Sequence, residues 1–585
     1  MGLFEDATSL LRGQAHVDSV YDDYRRQPLL PNRLSQLGPG VSWIDVDGDG
    51  REDLIVGTGR GGRLTVLRNR GGRFMVSVPP GPAARWDLTT ILPVPSASGQ
   101  GLSLLAGQSN YESNSPSEAL SVPSAIGFAL RDGAPGAGTP ILPPDSASVG
   151  PLALADVDGD GRLDLFVGAR VIPGAWPLPA PSRLYRRLPN GGWGPDSVNN
   201  RVLARVGLVS AAVFADLDGD GWPDLAITSE WGPVRVFHNE HGRLRDVTRE
   251  WGFANLTSRW NGLAVGDFDG DGRLDLVATS WGRNIPWRAS PQRPYELVAG
   301  NFGGAGLGLL FAQADSVTGR EMPLESLERL GIAVPSTRSR YASYVSYAKA
   351  TVDDVLDDAA RSAVRVGATT FDHIVFLNRG SHFEAHPLPD AAQLAPAFGI
   401  VVADFDGDGR EDLFLAQNFS PTSLDTPRFD AGAGLLLLGD GRGGFRPLSV
   451  RASGISVLGD QRGAAACDYD GDGRVDLAVS QNGAATTLWH NRAARPGVRV
   501  TVNAGPNNPW GIGARLQVSA GGQRGPVREI HAGSGYWSVD APTTVLALPT
   551  KADSLIVRWP QGEEKAVAIR AGQKSITVIR AAAAR

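Results

Sequence analysis

Six stretches of the chain each carry four aspartates at a fixed spacing. The first reads Asp45-Val46-Asp47-Gly48-Asp49-Gly50-Arg51-Glu52-Asp53-Leu54, and copies begin at Asp156, Asp216, Asp267, Asp404 and Asp468. All six obey D-x-D-G-D-G-x-x-D-L. Carboxylates at positions 1, 3, 5 and 9, with a backbone carbonyl at position 7, make an oxygen cage of the EF-hand kind. The expected ligands in the first loop are Asp45, Asp47, Asp49 and Asp53 with the Arg51 carbonyl. The second loop offers Asp156, Asp158, Asp160, Arg162 and Asp164, and the third Asp216, Asp218, Asp220, Trp222 and Asp224. The fourth offers Asp267, Asp269, Asp271, Arg273 and Asp275, and the fifth Asp404, Asp406, Asp408, Arg410 and Asp412. Asp468, Asp470, Asp472, Arg474 and Asp476 complete the set. Hard oxygen donors select calcium, since magnesium keeps its water and seldom takes an all-protein cage. One copy alone could equally be an ordinary Asp/Gly turn. Six identical copies predict up to six calcium ions, because four carboxylates crowded without a cation repel one another. The glycine at position 6 is expected to permit the sharp turn, and that at position 4 to relieve crowding.

The rest of the chain narrows the function class. At 585 residues, 42% hydrophobic and with 74 glycines, it is globular, rich in turns and longer than one ordinary domain. No apolar run reaches the ~18 residues that suggest a membrane span. Residues 1–11 lack the pattern of a signal peptide. The single Cys467 excludes an intrachain disulfide and reads as a packed thiol. The formal charge is −6, and the six loops hold 24 of the 62 acids. Six divalent ions would carry that charge to +6. The bases are nearly all arginine and are scattered, with no tract that suits nucleic acid. The eight histidines form no H-E-x-x-H, and G-x-S-x-G is missing. No catalytic constellation is identifiable, so the metals read as structural.

Elements must hold these loops at regular intervals. The loop starts are 111, 60, 51, 137 and 64 residues apart, and the short steps fit a four-stranded propeller blade. Each unit has a short apolar strand, the loop, a second strand, and a hairpin turned by Asn and Gly before a Phe, as at Asn69, Gly71, Gly72 and Phe74. The step of 111 predicts a worn, metal-free loop over residues 98–107. The step of 137 predicts another over 300–307. After it, segments 323–330 and 341–364 read as helical, with Thr351 as an N-cap. The fold class is all-β: a seven-bladed, alternatively eight-bladed, β-propeller over 1–495 with a mainly helical insertion over 311–368. A small β domain follows over 496–580, expected to be separable at the junction 493–497. Residues 3–8 match the outer-strand phrase of residues 243–248, and are predicted to complete the last unit beside residues 486–491.

The sixfold motif with its N-x-G-x-F hairpins resembles the FG-GAP/VCBS repeat of integrin-α-type propellers. Residues 511–515, 532–536 and 557–562 (GIGAR, AGSGY and VRWPQG) are similar to the ASPIC/UnbV domain. Together they resemble bacterial relatives of cartilage acidic protein. The resemblance implies an exported protein, extracellular, periplasmic or on the cell surface, where calcium is abundant enough for weak sites. The expected function is adhesion or interaction with a protein or glycan ligand, with calcium structural. The alternative is a polysaccharide-active, lyase-like enzyme, for which Trp231, Trp251, Trp260, Trp281 and Trp287 could stack on sugar rings. A passive domain of a larger surface protein is the third reading.

Overall fold

The computed structural model describes residues 2–96, 101–304, 306–423 and 425–580. The chain is all-β and built from many small antiparallel sheets. Among the described residues, seven sheets share one plan of four strands in sequence order. The first joins Val41–Ile44, Asp53–Val56, Thr65–Asn69 and Phe74–Ser77. The next five open on Leu88–Pro95, Ser148–Ala155, Leu208–Ala215, Leu263–Gly266 and Ala397–Ala403. The seventh runs Gln461–Cys467, Asp476–Gln481 and Thr487–Asn491, and takes its fourth strand, Phe4–Asp6, from the other end of the chain. Phe4 pairs with Asn491 and Asp6 with Trp489, in the expected place. Phe4 is 2% exposed. Burying such a ring contributes roughly 1.5–3 kcal/mol, enough to hold a strand that would otherwise fray.

The first strands are buried along all or nearly all of their length, as in Leu208–Ala215. Such strands are sandwiched on both faces, so they read as continuous apolar runs rather than alternating ones. Small residues such as Ala211, Ala212 and Ala215 let neighbouring sheets approach closely. Each pair of neighbours encloses its own core. Phe166 of the third sheet packs with Phe214 and Leu225 of the fourth, and Leu413 of the sixth with Val277 of the fifth. Trp43 of the first sheet packs with Ala465, Cys467 and Leu488 of the seventh. First strands touch in the same order, and the contact returns from Gln461–Cys467 to Val41–Ile44.

The Asp-rich loops join first to second strands in six of these sheets. The second sheet has none. Of its expected worn loop, residues 98–100 lie outside the described residues, and Leu102–Gln108 is its second strand.

The insertion differs from its expected form. It lies between Asp275–Ala278 and Ile374–Asn378 of the fifth sheet and carries a sheet of its own, ordered Glu321–Pro323, Gly308–Ala314, Tyr295–Gly300, Val364–Ala368. It therefore extends before residue 311. The segment 300–307, expected as a worn loop, is the hairpin connection between two of its strands, with Ala305 outside the described residues. Its helices are short: Leu327–Ala333, Thr337–Arg340, Tyr344–Tyr347 and Val352–Leu356. Thr351 caps the last, accepting from the Asp354 amide in a capping box. The strands were obscured because Leu309, Leu310 and Phe311 form a short apolar run that period alone cannot assign. Those residues, with Val352 and Val355, pack onto Leu29, Leu30 and Trp176.

The C-terminal unit has two sheets around a core of Val500, Leu516, Val557, Trp559 and Ile576. Separability does not match the contacts it makes. Its segment 532–541 runs among the first strands of the seven sheets. Val539 exchanges backbone bonds with Val41 and Trp43, Gly535 with Leu263, and the Ala532 carbonyl accepts from Leu154. The Ala541 amide reaches the Ala466 carbonyl, and Asp540 accepts from the Ala466 amide at 2.7 Å. Tyr536 meets Phe398 edge-on at 5.3 Å, and Val539 shares a core with Leu92. Gly533 has φ +99, and a Cβ there would lie 2.4 Å from the Leu152 carbonyl oxygen. Glycine is required both for that dihedral and for that approach.

Candidate metal centres

All six loops have the same internal bonding. The position-1 carboxylate accepts the amide of the position-6 glycine at 2.8–3.0 Å. The position-5 carboxylate accepts the position-7 amide at 2.8–3.0 Å. Position 9 is different in kind, being at most 1% exposed in every copy. One of its oxygens accepts the position-2 amide at 2.8–3.2 Å. The other accepts an amide at the end of the third strand, Asn69 in the first sheet and Asn491 in the seventh, at 2.6–2.9 Å. Asp53 and its equivalents thus pin loop to sheet. Both glycines have positive φ, for example 75° at Gly48 and 82° at Gly50. Position 4 therefore turns the chain as position 6 does, rather than only relieving crowding.

The loops bring their carboxylates together. Oxygens of Asp45, Asp47 and Asp53 lie within 4.8 Å of one another, as do those of Asp156, Asp158 and Asp160. Buried oxygens of Asp47, Asp156, Asp216 and Asp269 have no hydrogen-bond partner. Unsatisfied carboxylate oxygens in a convergent, mostly oxygen-lined loop fit a hard cation. Burial pushes Asp53 and Asp275 up to about 7, and Asp412 up to about 8. A cation at the loop would favour their charged forms.

Bases beside the loops were missed in the sequence. Arg70 reaches Asp47 at 2.6 Å and Asp49 at 2.8 Å, and Arg186 reaches Asp164 at 2.8 Å. In two loops histidine holds the place of Arg186. His238 Nδ1 lies 3.2 Å from Asp218 and 3.1 Å from Asp224, and His490 is placed likewise against Asp470 and Asp476. The expectation of oxygen-only surroundings therefore does not hold there. Hydrogen bonds to Asp224 and Asp476 raise these imidazoles to about 9, so they stand as cations in the role of Arg186. The side chains at position 7 clamp the loop from outside, as Arg410 does on Asp408 at 3.0 Å. Trp222, at the same position, packs on His241.

The hairpin asparagines do more than turn the chain. Asn69, Asn239, Asn378 and Asn491 each donate to the position-8 carbonyl of their own loop at 3.0–3.3 Å. The same amide donates to the position-2 carbonyl of the preceding sheet's loop at 2.6–2.9 Å. Of the six loop-bearing sheets, two lack this asparagine and substitute for it. Gly443 donates its amide to Phe268, and Arg187 donates to the Pro95 carbonyl at 2.7 Å.

The aromatic residues pack inward. Trp260, Trp281 and Trp231 are at most 7% exposed, and Trp251 and Trp287 are half-buried. Buried Arg259 lies 4.4 Å from the Trp281 ring centre and 5.4–5.7 Å from those of Trp176, Trp231 and Trp287. Cys467 is buried, and burial pushes its thiol up. Among the described residues, no helix is long and apolar enough to cross a membrane.

Comparison with known proteins agrees with the motifs. The FG-GAP-like repeat matches residues 182–278, and the ASPIC and UnbV domain matches 504–585. No curated protein matches the chain. Among solved structures, the V. cholerae biofilm matrix protein Bap1 is similar at 12% identity, over 85% of this chain and 91% of that one, with a TM-score of 0.30. The Photorhabdus luminescens Tc holotoxin pore is similar at 14% identity, over 76% of this chain and 16% of that one, with a TM-score of 0.28.

Proposed function

We propose that this chain, which carries an FG-GAP-like repeat and an ASPIC/UnbV domain, is an exported calcium-stabilised interaction module. In this reading the seven sheets are blades of one closed β-propeller, and 496–580 is a C-terminal unit whose 532–541 segment occupies its axis. The cyclic contacts of first strands and the Phe4–Asp6 pairing support closure. Calcium sits at up to six loops and works in the scaffold. The observation that carries this is the pinning of every loop: position 9 is buried and bonded both to its own loop and to the third strand, so an ion there braces a sheet rather than meeting a substrate. The protein acts outside the cell, in the periplasm or at the surface.

The ligand surface lies away from the loops. The insertion meets the sheets around a cavity of about 420 Å³ lined by Trp287, Tyr295, Phe311, Glu325, Arg329 and Asp425. One half-exposed indole beside charged groups suits a glycan or a peptide. The full chain should bind a glycan or peptide array with unchanged selectivity in calcium, and lose binding on Trp287→Ala. Binding that survives this change moves the ligand elsewhere. A second reading, a polysaccharide-active enzyme, draws on Glu325, whose carboxyl burial pushes up to about 7. Chain cleavage abolished by Glu325→Gln would establish it.

A further inference from the structure

A further acidic site lies outside the six loops, on the sheet that has none. Asp87 stands just before Leu88–Pro95, the first strand of the second sheet. The connection that replaces an Asp-rich loop follows the other end of that strand. Glu112 comes from the segment after Leu102–Gln108, and Asp18 from the N-terminal segment. One carboxylate oxygen from each of the three lies within 4.8 Å of the others.

Proximity of acids alone would mean little. Here Glu112 is 2% exposed, and its Oε1 has no hydrogen-bond partner. Asp18 Oδ1 is likewise buried and unpartnered. Other atoms of the group are tied down: Asp87 Oδ1 accepts the Arg60 amide at 2.8 Å, and the Arg60 guanidinium faces Glu112 Oε2 at 3.4 Å. When ionised, the three carboxylates carry two negative charges more than the one guanidinium facing them. The backbone makes room for the cluster, since a Cβ on Gly59 would fall 2.4 Å from Asp18 Cγ.

We propose that Asp18, Asp87 and Glu112 form a binding site for a hard divalent cation, independent of the Asp-rich loops. Three carboxylates, two of them with buried unpartnered oxygens, supply the donor set that calcium or manganese takes, and a divalent ion matches the charge of the ionised group. Burial raises Asp18 and Glu112 to about 7, the behaviour of carboxylates short of counter-charge. An ion here joins the N-terminal segment to the second sheet, in place of the one its missing loop would hold.

Crystals of the full chain soaked in manganese chloride test this by anomalous scattering. A peak among the three carboxylates is expected. Peaks in the loops with none here overturn the site and leave the loop reading intact; a peak here with none in the loops does the reverse. Equilibrium dialysis against calcium gives a second measure. Asp87→Asn/Glu112→Gln should bind one ion fewer than the parent while keeping the loops' share. An unchanged ion count overturns the proposal. The soak uses the unaltered chain, so it decides even if the double variant fails to fold.

Discussion

Asn69 Nδ2 donates to the Tyr469 carbonyl at 2.6 Å, across 400 residues of sequence. This bond ties the Asp-rich loop of the first sheet to that of the seventh. Asn69 is fully buried, so its loss leaves the Tyr469 and Glu52 carbonyls without this donor. Asn69→Ala should cost about 1–3 kcal/mol in reversible unfolding. Asn190→Ala, on an exposed turn, should be within about 0.5 kcal/mol of the parent. Equal effects at the two positions would mean that the loop-to-loop bond is energetically idle.

Calcium should raise the melting temperature and chelation should lower it. An ion that binds only the folded state adds RT ln(1 + [L]/Kd), about 2.7 kcal/mol per site at a hundredfold excess over Kd. Asp47→Asn is the informative variant, because Asp47 Oδ1 has no protein partner and the one contact weakened, Arg70 on Oδ2, is an ion pair to a solvent-facing guanidinium. It should reduce the calcium-induced rise and change the chelated protein's melting little. A chelated variant that melts well below the chelated parent would give Asp47 a packing role instead.

The ion-free protein should lose stability as pH rises. Buried Asp53 and Asp275 have folded values of about 7 and Asp412 about 8, against about 3.9 for an unfolded aspartate. Between those limits the folded state holds more protons than the unfolded state, so the slope of stability against pH is negative. Melting in chelator should be higher at pH 5.5 than at pH 8. Calcium must displace these protons, so its affinity should climb over the same interval. A chelated protein that is more stable at pH 8 contradicts the assignment.

A chain ending at Arg495 should not reproduce the parent's stability. Trp537 donates from Nε1 to the Ser210 carbonyl at 3.2 Å and is 5% exposed, within the core that also holds Tyr536, Trp231 and Leu29. Trp537→Ala should cost about 3–5 kcal/mol. The truncated chain, stripped of residues 532–541, should melt lower or aggregate. Unfolding at the parent's midpoint would restore the separable reading.

The periodic parts of this architecture were legible before any coordinates. Six repeats of one motif fixed where loops and strands fall, and the match between residues 3–8 and 243–248 placed Phe4–Asp6 correctly. Interactions between distant segments were not legible. Asn69 reads as a turn residue because its local geometry explains it, while its bond to Tyr469 exists only once the sheets meet. His238 and Arg186 precede the residue that meets position 9, a correspondence visible only in register. Gly533 and Gly535 look like loop glycines, yet a Cβ on either would strike a carbonyl oxygen of a first strand. The inserted sheet was hidden because its apolar runs are too short to carry a period.

The pairing of Phe4–Asp6 with Thr487–Asn491 also imposes a timetable. Thr8 meets Leu488 across 480 residues, so a segment made among the earliest must wait for one made far later. At ribosomal rates of about 5–20 residues per second, that wait is roughly half a minute to a minute and a half. Throughout it, the apolar Phe4 lacks the strand that will cover it. An emerging chain of this design therefore needs shelter from premature partners, and slowed synthesis should raise its losses to aggregation.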